Sequence, residues 1–139
     1  MGAVHVTIDL ENTTDADMAA QGLRPVDTVR RRTVRALVDT GSVMLVLPED
    51  LVDFLGLTRR GKRVVSFADD RKVDWEAAGP VTLRVGSRYG IFECLVAPPT
   101  TEPLFGQVQL EILDLIVDAA KQTLGVRPES PIYPLMTVK

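Results

Sequence analysis

The sequence has very few of the residues on which metal sites, disulfides and nucleophilic catalysis depend. Its 139 residues include one cysteine, Cys94, and one histidine, His5. A disulfide within the chain needs two cysteines, and a structural zinc site needs about four Cys or His ligands. A Ser–His or Cys–His pair would have to use His5, which lies in an alternating strand pattern with no acid evidently placed to orient it. We therefore expect no metal site and assign no cofactor. Cys94, in the apolar run 91–96, is predicted to be a small buried hydrophobe.

Long apolar runs and a strong net charge are also lacking. No apolar stretch is long enough to span a membrane, and the first residues do not form a signal peptide. The 19 acidic and 16 basic residues leave a net charge of −3, so no overall field attracts nucleic acid or anionic lipid. Two basic runs, residues 30–32 and 59–63, are interpreted as solvated strand or loop faces, with phosphate binding as the alternative. These features predict a single-domain cytoplasmic protein with no nucleic acid or membrane partner.

What the sequence does contain is a series of short, β-prone apolar segments separated by turn residues. Strands are expected over residues 4–10, 28–39, 43–47, 63–67, 72–76, 80–85, 91–97, 115–119 and 122–126, with a polar turn at 11–15. A short helix is expected between Pro48 and Gly56, and a second over residues 107–113. Residues 16–26 are ambiguous, because a glycine and a proline interrupt any long helix. The pattern predicts an all-β barrel or sandwich with one or two short helices.

The most informative segment is Asp39-Thr40-Gly41-Ser42, which lies between the apolar runs 34–38 and 43–47. If the two apolar runs form strands joined by a turn that begins at Asp39, the acid lies in mostly apolar surroundings. An unpaired charge buried there costs several kcal/mol. Either a specific chemical role or a local Asx turn between the two strands accounts for this acid.

Further motifs follow in a specific order. Leu104-Phe105-Gly106 lies directly before the second helix, which would then pack behind the Asp39 turn. Together with residues 36–42, 47–48, 68–69 and 113–118, this set resembles the retropepsin-like aspartic proteases, in particular their small bacterial members. The resemblance covers roughly residues 34–126. It implies a retropepsin-like closed β-barrel, with the protease domain at residues 1–126 and an extended tail at residues 127–139.

The resemblance also implies a reaction, namely hydrolysis of peptide bonds by a water held between two carboxylates. Such a pair shares one proton, because two carboxylates so close together do not both ionise comfortably. The chain contains a single Asp-Thr-Gly, so Asp39 would be catalytic in a homodimer whose active site lies on the twofold axis. Thr40 would form hydrogen bonds across that axis, Gly41 would allow a close approach to substrate, and Ser42 would donate to Asp39.

A flap and a substrate pocket are implied as well. Ala68, Asp69 and Asp70 would form the tip of a hairpin that closes over substrate. Relatives often have glycine where this chain has Asp70, and aspartate adopts left-handed turn geometry less freely than glycine. A working flap and a plain surface hairpin are thus both compatible with the sequence. Trp75 would lie in the core, or else pack under this flap or line a substrate pocket. Three residues are candidates for the substrate pocket: Leu104, Phe105 and Gly106.

Our leading hypothesis is therefore a homodimeric aspartic endopeptidase acting on a peptide or protein substrate. The alternative is a catalytically silent, protease-like module that dimerises or binds peptides. Residues 132–136 of the tail are apolar enough to build the dimer by strand addition, although a disordered tail agrees equally well with the sequence.

Overall fold

The computed structural model describes residues 3–138, so residues 1, 2 and 139 of the predicted domain and tail lie outside it. The strands are β1 (His5–Asn12), β2 (Arg31–Val38), β3 (Leu45–Pro48), β4 (Thr58–Ser66), β5 (Lys72–Val85), β6 (Arg88–Ala97), β7 (Leu104–Phe105), β8 (Leu115–Asp118) and β9 (Thr123–Val126). The helices are α1 (Thr13–Ala20), α2 (Glu49–Leu55) and α3 (Gln107–Leu113), with a single 3₁₀ turn at Val26–Thr28. The fold is all-β as predicted, but the described residues form three short α-helices rather than one or two.

Seven of the strands form one sheet that closes on itself. Its order is β1-β2-β7-β3-β6-β5-β4, and β5 also pairs with β1, so six strands make a ring and β4 lies outside it. Most neighbours are antiparallel, but β2 runs parallel to β7, and β3 runs parallel to β6. The predicted strands at 72–76 and 80–85 are one continuous strand, β5. The predicted final hairpin forms the separate pair β8–β9.

The core fills the inside of the ring and continues under α2 and α3. Its fully buried side chains are mostly aliphatic and come from several strands and both helices: Ile8, Leu10, Leu45, Leu47, Val52, Leu55, Val81, Leu83, Phe105 and Leu113. Cys94 is fully buried among them. Burial raises the pKa of its thiol to about 12, because the apolar surroundings disfavour the thiolate. The prediction that Cys94 is a buried hydrophobe is confirmed.

The α1 region differs from the sequence prediction, because β1 continues to Asn12 and a helix begins at Thr13. The Asn12 side-chain oxygen accepts a hydrogen bond of 2.9 Å from the backbone N–H of Asp15, which caps the helix. The Asn12 amide also donates to the carbonyl oxygen of Leu55 at 2.8 Å. The start of α1 is thereby attached to the end of α2. The predicted polar turn at 11–15 is wrong.

The buried carboxylate of Asp15 is the centre of an ion-pair cluster whose arginine side chains are partly exposed. Arg30 donates to its carboxylate from Nε at 2.8 Å and from Nη2 at 2.9 Å, and Arg24 donates from Nη1 at 2.6 Å. The Arg30 hydrogen bonds hold the pKa of Asp15 below its usual range, although burial acts in the opposite direction. Arg30 nevertheless stays exposed, as do residues 31 and 32, so the interpretation of this basic run as a solvated face agrees with the structure.

The tail is attached to the sheet by two residues, Arg88 and Asp114. The buried guanidinium of Arg88 donates to the carbonyl oxygens of Leu113 and Asp114, each at 2.8 Å, and to that of Ser130. The Asp114 carboxylate accepts from the Ser130 hydroxyl and, at 2.9 Å, from the backbone N–H of Leu135. The described tail contains neither helix nor strand, yet these bonds fix its course from Ser130 to Leu135.

Candidate active site

Asp39 lies directly after β2, at the start of the turn that leads to β3. Its backbone N–H donates to the carbonyl oxygen of Phe105 at 2.9 Å, and its own carbonyl accepts from the N–H of Ser42 at 3.1 Å. The Asp39 Oδ1 atom accepts a 2.9 Å hydrogen bond from the backbone N–H of Gly41. Asp39 is half-buried, whereas Thr40 and Gly41 are exposed. The turn has the geometry of an Asx turn and also leaves the Asp39 carboxylate accessible to ligands. The same local structure is therefore compatible with both interpretations of Asp39, a chemical role and a local Asx turn.

Helix α3 supports this turn from behind, as the sequence predicts. The N–H groups of Gln107 and Val108, in the first turn of the helix, donate to the carbonyl oxygens of Ser42 and Val43 at 2.7 and 3.1 Å. The first N–H groups of a helix have no partner within the helix. The contact therefore satisfies both the helix and the turn, and it fixes the loop that carries Asp39.

Ser42 does not donate to Asp39 as expected. Its hydroxyl donates to the carbonyl oxygen of Met44 at 2.8 Å. A serine hydroxyl has a single hydrogen to give, so the predicted bond from Ser42 to the carboxylate is wrong. Ser42 instead stabilises the exit of the turn toward β3.

A cleft of about 700 Å³ opens beside the Asp39 turn. The residues that line it are Asp39, Gly41, Ser42, Val43, Met44, Val46, Arg63, Val64, Val65, Ser66, Phe67, Ala68, Trp75, Leu95 and Leu104. Most of these side chains are apolar, and Arg63 carries the one positive charge among the described residues of the lining. A mostly apolar cleft with a few polar groups is typical of a ligand-binding site. Arg63 and the other β4 residues are absent from the site predicted from the sequence, although their position just before the flap tip was a usable signal.

The β4–β5 hairpin forms one wall of the cleft. At its tip the N–H of Phe67 donates to the carbonyl oxygen of Arg71 at 2.8 Å, and the N–H of Asp70 donates to that of Phe67 at 3.0 Å. Asp70 has a φ of 64°, the left-handed conformation that such three-residue loops require. Ala68 lines the cleft, whereas Asp69 and Asp70 are exposed outside it. Asp70 thus adopts the backbone conformation for which glycine is best suited.

Trp75 lies beneath this tip and not in the core. Its ring is 5.6 Å from that of Phe67 in an edge-to-face arrangement, and both rings line the cleft. Of the three pocket candidates, Leu104 also lines the cleft. Phe105 is fully buried in the core, and Gly106 is buried beneath the turn. Phe105 and Gly106 therefore do not line this cleft: Phe105 faces the core because successive residues of β7 face opposite sides of the sheet, and Gly106 lies against the backbone oxygens of Ser42 and Met44.

His5 has an acidic partner that the sequence analysis missed. Its Nε2 atom lies 2.8 Å from Oε1 of Glu102. Neither residue lines the cleft. Among the described residues, no three His, Cys, Asp or Glu side chains are grouped so that they could hold a metal ion. In the same part of the chain, no helix has both the length and the apolar character needed to cross a membrane.

A closed β-sheet that carries an Asp-Thr-Gly turn under a hairpin defines an aspartic-protease-like protein. Comparison with known families agrees, since the model of an aspartyl protease family matches residues 25–110, which is more than half of the chain. The chain belongs to this aspartyl protease family, which is of retropepsin-like type. The matched residues include the Asp39 turn, the β4–β5 hairpin and β7. None of the curated proteins compared with the chain matches it.

Proposed function

We propose that the chain is one subunit of a homodimeric aspartic endopeptidase, in which each subunit contributes the carboxylate of Asp39. The observation that carries this proposal is the position of Asp39, half-buried in a fixed turn at the edge of a mostly apolar cleft. Family membership supports a protease-like function. One chain supplies one such turn, and the chemistry requires two carboxylates.

In the proposed reaction, one carboxylate is ionised and the other is protonated. The ionised group takes a proton from the bound water as the water oxygen bonds to the scissile carbonyl carbon. The protonated group donates its proton to the carbonyl oxygen, which gives a tetrahedral diol. When the C–N bond breaks, the carboxyl group that took the water proton donates it to the amine nitrogen, and the other carboxylate takes a proton from one hydroxyl of the diol. One water is consumed, a carboxylic acid and an amine are released, and the pair again holds one proton. The exposed Thr40 is available to bind the second turn.

The tail supports the choice of a second copy of the chain as partner. Its apolar side chains are more than half exposed: Ile132 (70%), Tyr133 (80%), Leu135 (53%), Met136 (67%) and Val138 (93%). Several exposed apolar side chains within one short segment are characteristic of an interaction site. Asp114 holds the segment at Leu135, so its course is defined before any partner binds. We propose that the tails of two subunits cover each other.

The test compares the wild-type protein with Asp39→Asn on a library of unfolded peptides. We expect Asp39→Asn to lose cleavage while it keeps the fold and the dimer, measured by circular dichroism and sedimentation. Asp17→Asn, an identical change at an exposed position of α1, serves as the matched control and should cleave normally. Full cleavage by Asp39→Asn would contradict the proposal. Sedimentation with a transition-state-mimicking aspartic protease inhibitor tests the dimer and the site together.

The second candidate is a catalytically silent module that binds peptides or dimerises. The observation in its favour is Asp70, which holds the left-handed position at the flap tip with less freedom than glycine would have. The two candidates differ in the distance between the Asp39 carboxylates of a dimer. Inner oxygens within hydrogen-bonding distance of one shared water favour the enzyme, whereas a dimer through another face favours the module.

A further inference from the structure

The cleft contains a charged side chain that the proposed catalytic chemistry does not use. Arg63 lies in the wall formed by β4, and its guanidinium is the one cationic group among the described lining residues. We propose that Arg63 makes the cleft selective for peptides that carry an acidic side chain at the position lying against the base of the β4–β5 hairpin. This inference rests on the proposed peptidase function, because it names the substrate class of the same site.

The sheet register places Arg63 on the wall of the cleft. Arg63 is paired with Trp75 across the hairpin, and directly opposite residues project from the same face of an antiparallel pair. Trp75 lines the cleft and contacts Phe67 near the tip. Arg63 thus lies at the end of this wall that is farther from the tip. A peptide under the hairpin would meet aromatic surface near the tip and a positive charge toward the base.

The charge of Arg63 is not fully neutralised within the chain. Its Nη2 atom lies 3.5 Å from Oε1 of Glu93, and Nε of Arg60 lies 3.2 Å from the other oxygen of the same carboxylate. Two guanidinium groups therefore share one acid, which leaves one positive charge in excess. The 3.5 Å contact is at the long limit for a hydrogen bond, and the Arg63 side chain is 45% exposed. Its Nη1 atom also donates to the carbonyl oxygen of Lys62 at 3.1 Å, and the remaining N–H groups can bind a substrate carboxylate without breaking a tight ion pair.

The surroundings strengthen such a bond. A guanidinium binds a carboxylate through two parallel N–H donors, and these charge-assisted hydrogen bonds are stronger than neutral ones. The neighbouring cleft surface, which includes Val65 and Trp75, is apolar and would exclude water once a peptide is bound. Removal of water lowers the local dielectric and increases the attraction between opposite charges. An acidic side chain should therefore gain about tenfold in affinity over its amide counterpart.

The experiment uses the full-length protein and sets of three peptides that differ only in having Glu, Gln or Lys at one position. Each set varies a different position, so that every position on both sides of the scissile bond is tested. At one position we expect the Glu peptide to have a kcat/KM about tenfold higher than the Gln peptide, mainly through KM. Arg63→Glu should reverse the preference toward Lys, and Arg63→Lys should retain part of it. Lys62→Glu makes the same charge change at the adjacent exposed position and should leave the preference intact.

A second measurement separates this inference from the proposed function. The same peptides, labelled with a fluorophore, are titrated with Asp39→Asn and with Asp39→Asn combined with Arg63→Glu. If wild type cleaves Glu and Gln peptides equally at every position, the charged subsite is refuted while the peptidase stands. If nothing is cleaved but binding favours Glu through Arg63, the peptidase is refuted and the subsite stands. No cleavage together with no binding preference refutes both.

Discussion

The carbonyl oxygen of Ser42 lies only 2.6 Å from the position that a Cβ atom on Gly106 would occupy. The carbonyl oxygen of Met44 is almost as close, at 2.7 Å. A side chain at Gly106 would therefore meet two rigid backbone oxygens rather than a flexible side chain that could move away. The same Ser42 carbonyl accepts the hydrogen bond from α3. The support of the Asp39 turn by α3 thus depends on glycine at this position.

Gly106→Ala should displace either α3 or the Asp39 turn. We expect a loss of about 2 kcal/mol in the free energy of unfolding, measured with denaturant, because a methyl group is forced into a packed backbone contact. Peptide cleavage should fall even under conditions where the variant is fully folded. Gly125→Ala is the matched control, because nothing lies within 4 Å of its Cβ position, and it should change stability by less than about 0.5 kcal/mol. Wild-type stability in Gly106→Ala would contradict the close approach.

The tip of the hairpin gives a second prediction, since Asp70 has a φ of 64°. Asp70→Gly should keep the hairpin and the stability, because glycine adopts this conformation without steric cost. Asp70→Val should lose about 1–2 kcal/mol, measured by denaturant unfolding, because a β-branched residue is strained there. Asp74→Val places the same change at an exposed position of β5, where valine is favoured, and should not destabilise. Equal stability of the two valine variants would show that position 70 is unstrained.

Asp15 gives a prediction of pH dependence. Hydrogen bonds from Arg30 lower its pKa in the folded protein. The stability that this carboxylate contributes is therefore fully present above about pH 4, the range of an unfolded aspartate, and is lost as the pH falls through the lowered folded value. Asp15→Ala should cost about 2 kcal/mol at neutral pH, because charge-assisted hydrogen bonds are lost while the partly exposed arginines remain hydrated, and the difference from wild type in unfolding free energy should shrink in acid. Asp27→Ala, at an exposed position, should show no such pH-dependent difference.

Features set by local chain chemistry could be predicted from the sequence. The Asp39 turn, the left-handed Gly56 that ends α2, and the hairpin tip at Asp70 each depend on a few neighbouring residues with strong backbone preferences. The order of these motifs was specific enough to indicate the fold. Sequence analysis therefore predicted most strands, two of the three helices and the position of the candidate catalytic acid.

Features that depend on contacts between distant segments could not be predicted in this way. Helix α1 has a weak apolar pattern, and its start is stabilised by Asn12 bonding to Leu55 and by Asp15 bonding to Arg30. No local signal connects these residues. The hydroxyl of Ser42 donates to Met44 rather than to Asp39, and this choice depends on the turn geometry. Arg63 lines the cleft because of the register in which β4 pairs with β5, and the sequence pattern alone does not define that register.

The attachment of the tail gives the last prediction. Asp114 accepts hydrogen bonds from the Ser130 hydroxyl and the Leu135 N–H. Both bonds lower the pKa of Asp114, and the bond from Ser130 has the larger effect. Asp114→Ala should release the tail, so that hydrogen exchange at the Leu135 amide becomes faster. Because the carboxylate is the acceptor, wild type should show the same faster exchange, after correction for intrinsic rates, as the pH falls through the lowered pKa. Sedimentation of Asp114→Ala should show a weaker dimer, since the exposed apolar segment would no longer be held in one course.

Asp118→Ala is the control that separates tail release from general loss of stability. Asp118 lies on β8 and accepts a 3.1 Å hydrogen bond from the N–H of Lys121 in the β8–β9 turn, so its removal loosens that turn and leaves the Asp114 bonds in place. It should speed exchange at Lys121 but not at Leu135. If Asp114→Ala exchanges faster at Leu135 and still dimerises like wild type, the tail is attached as described but does not build the dimer. If exchange at Leu135 is unchanged, Asp114 does not hold the tail.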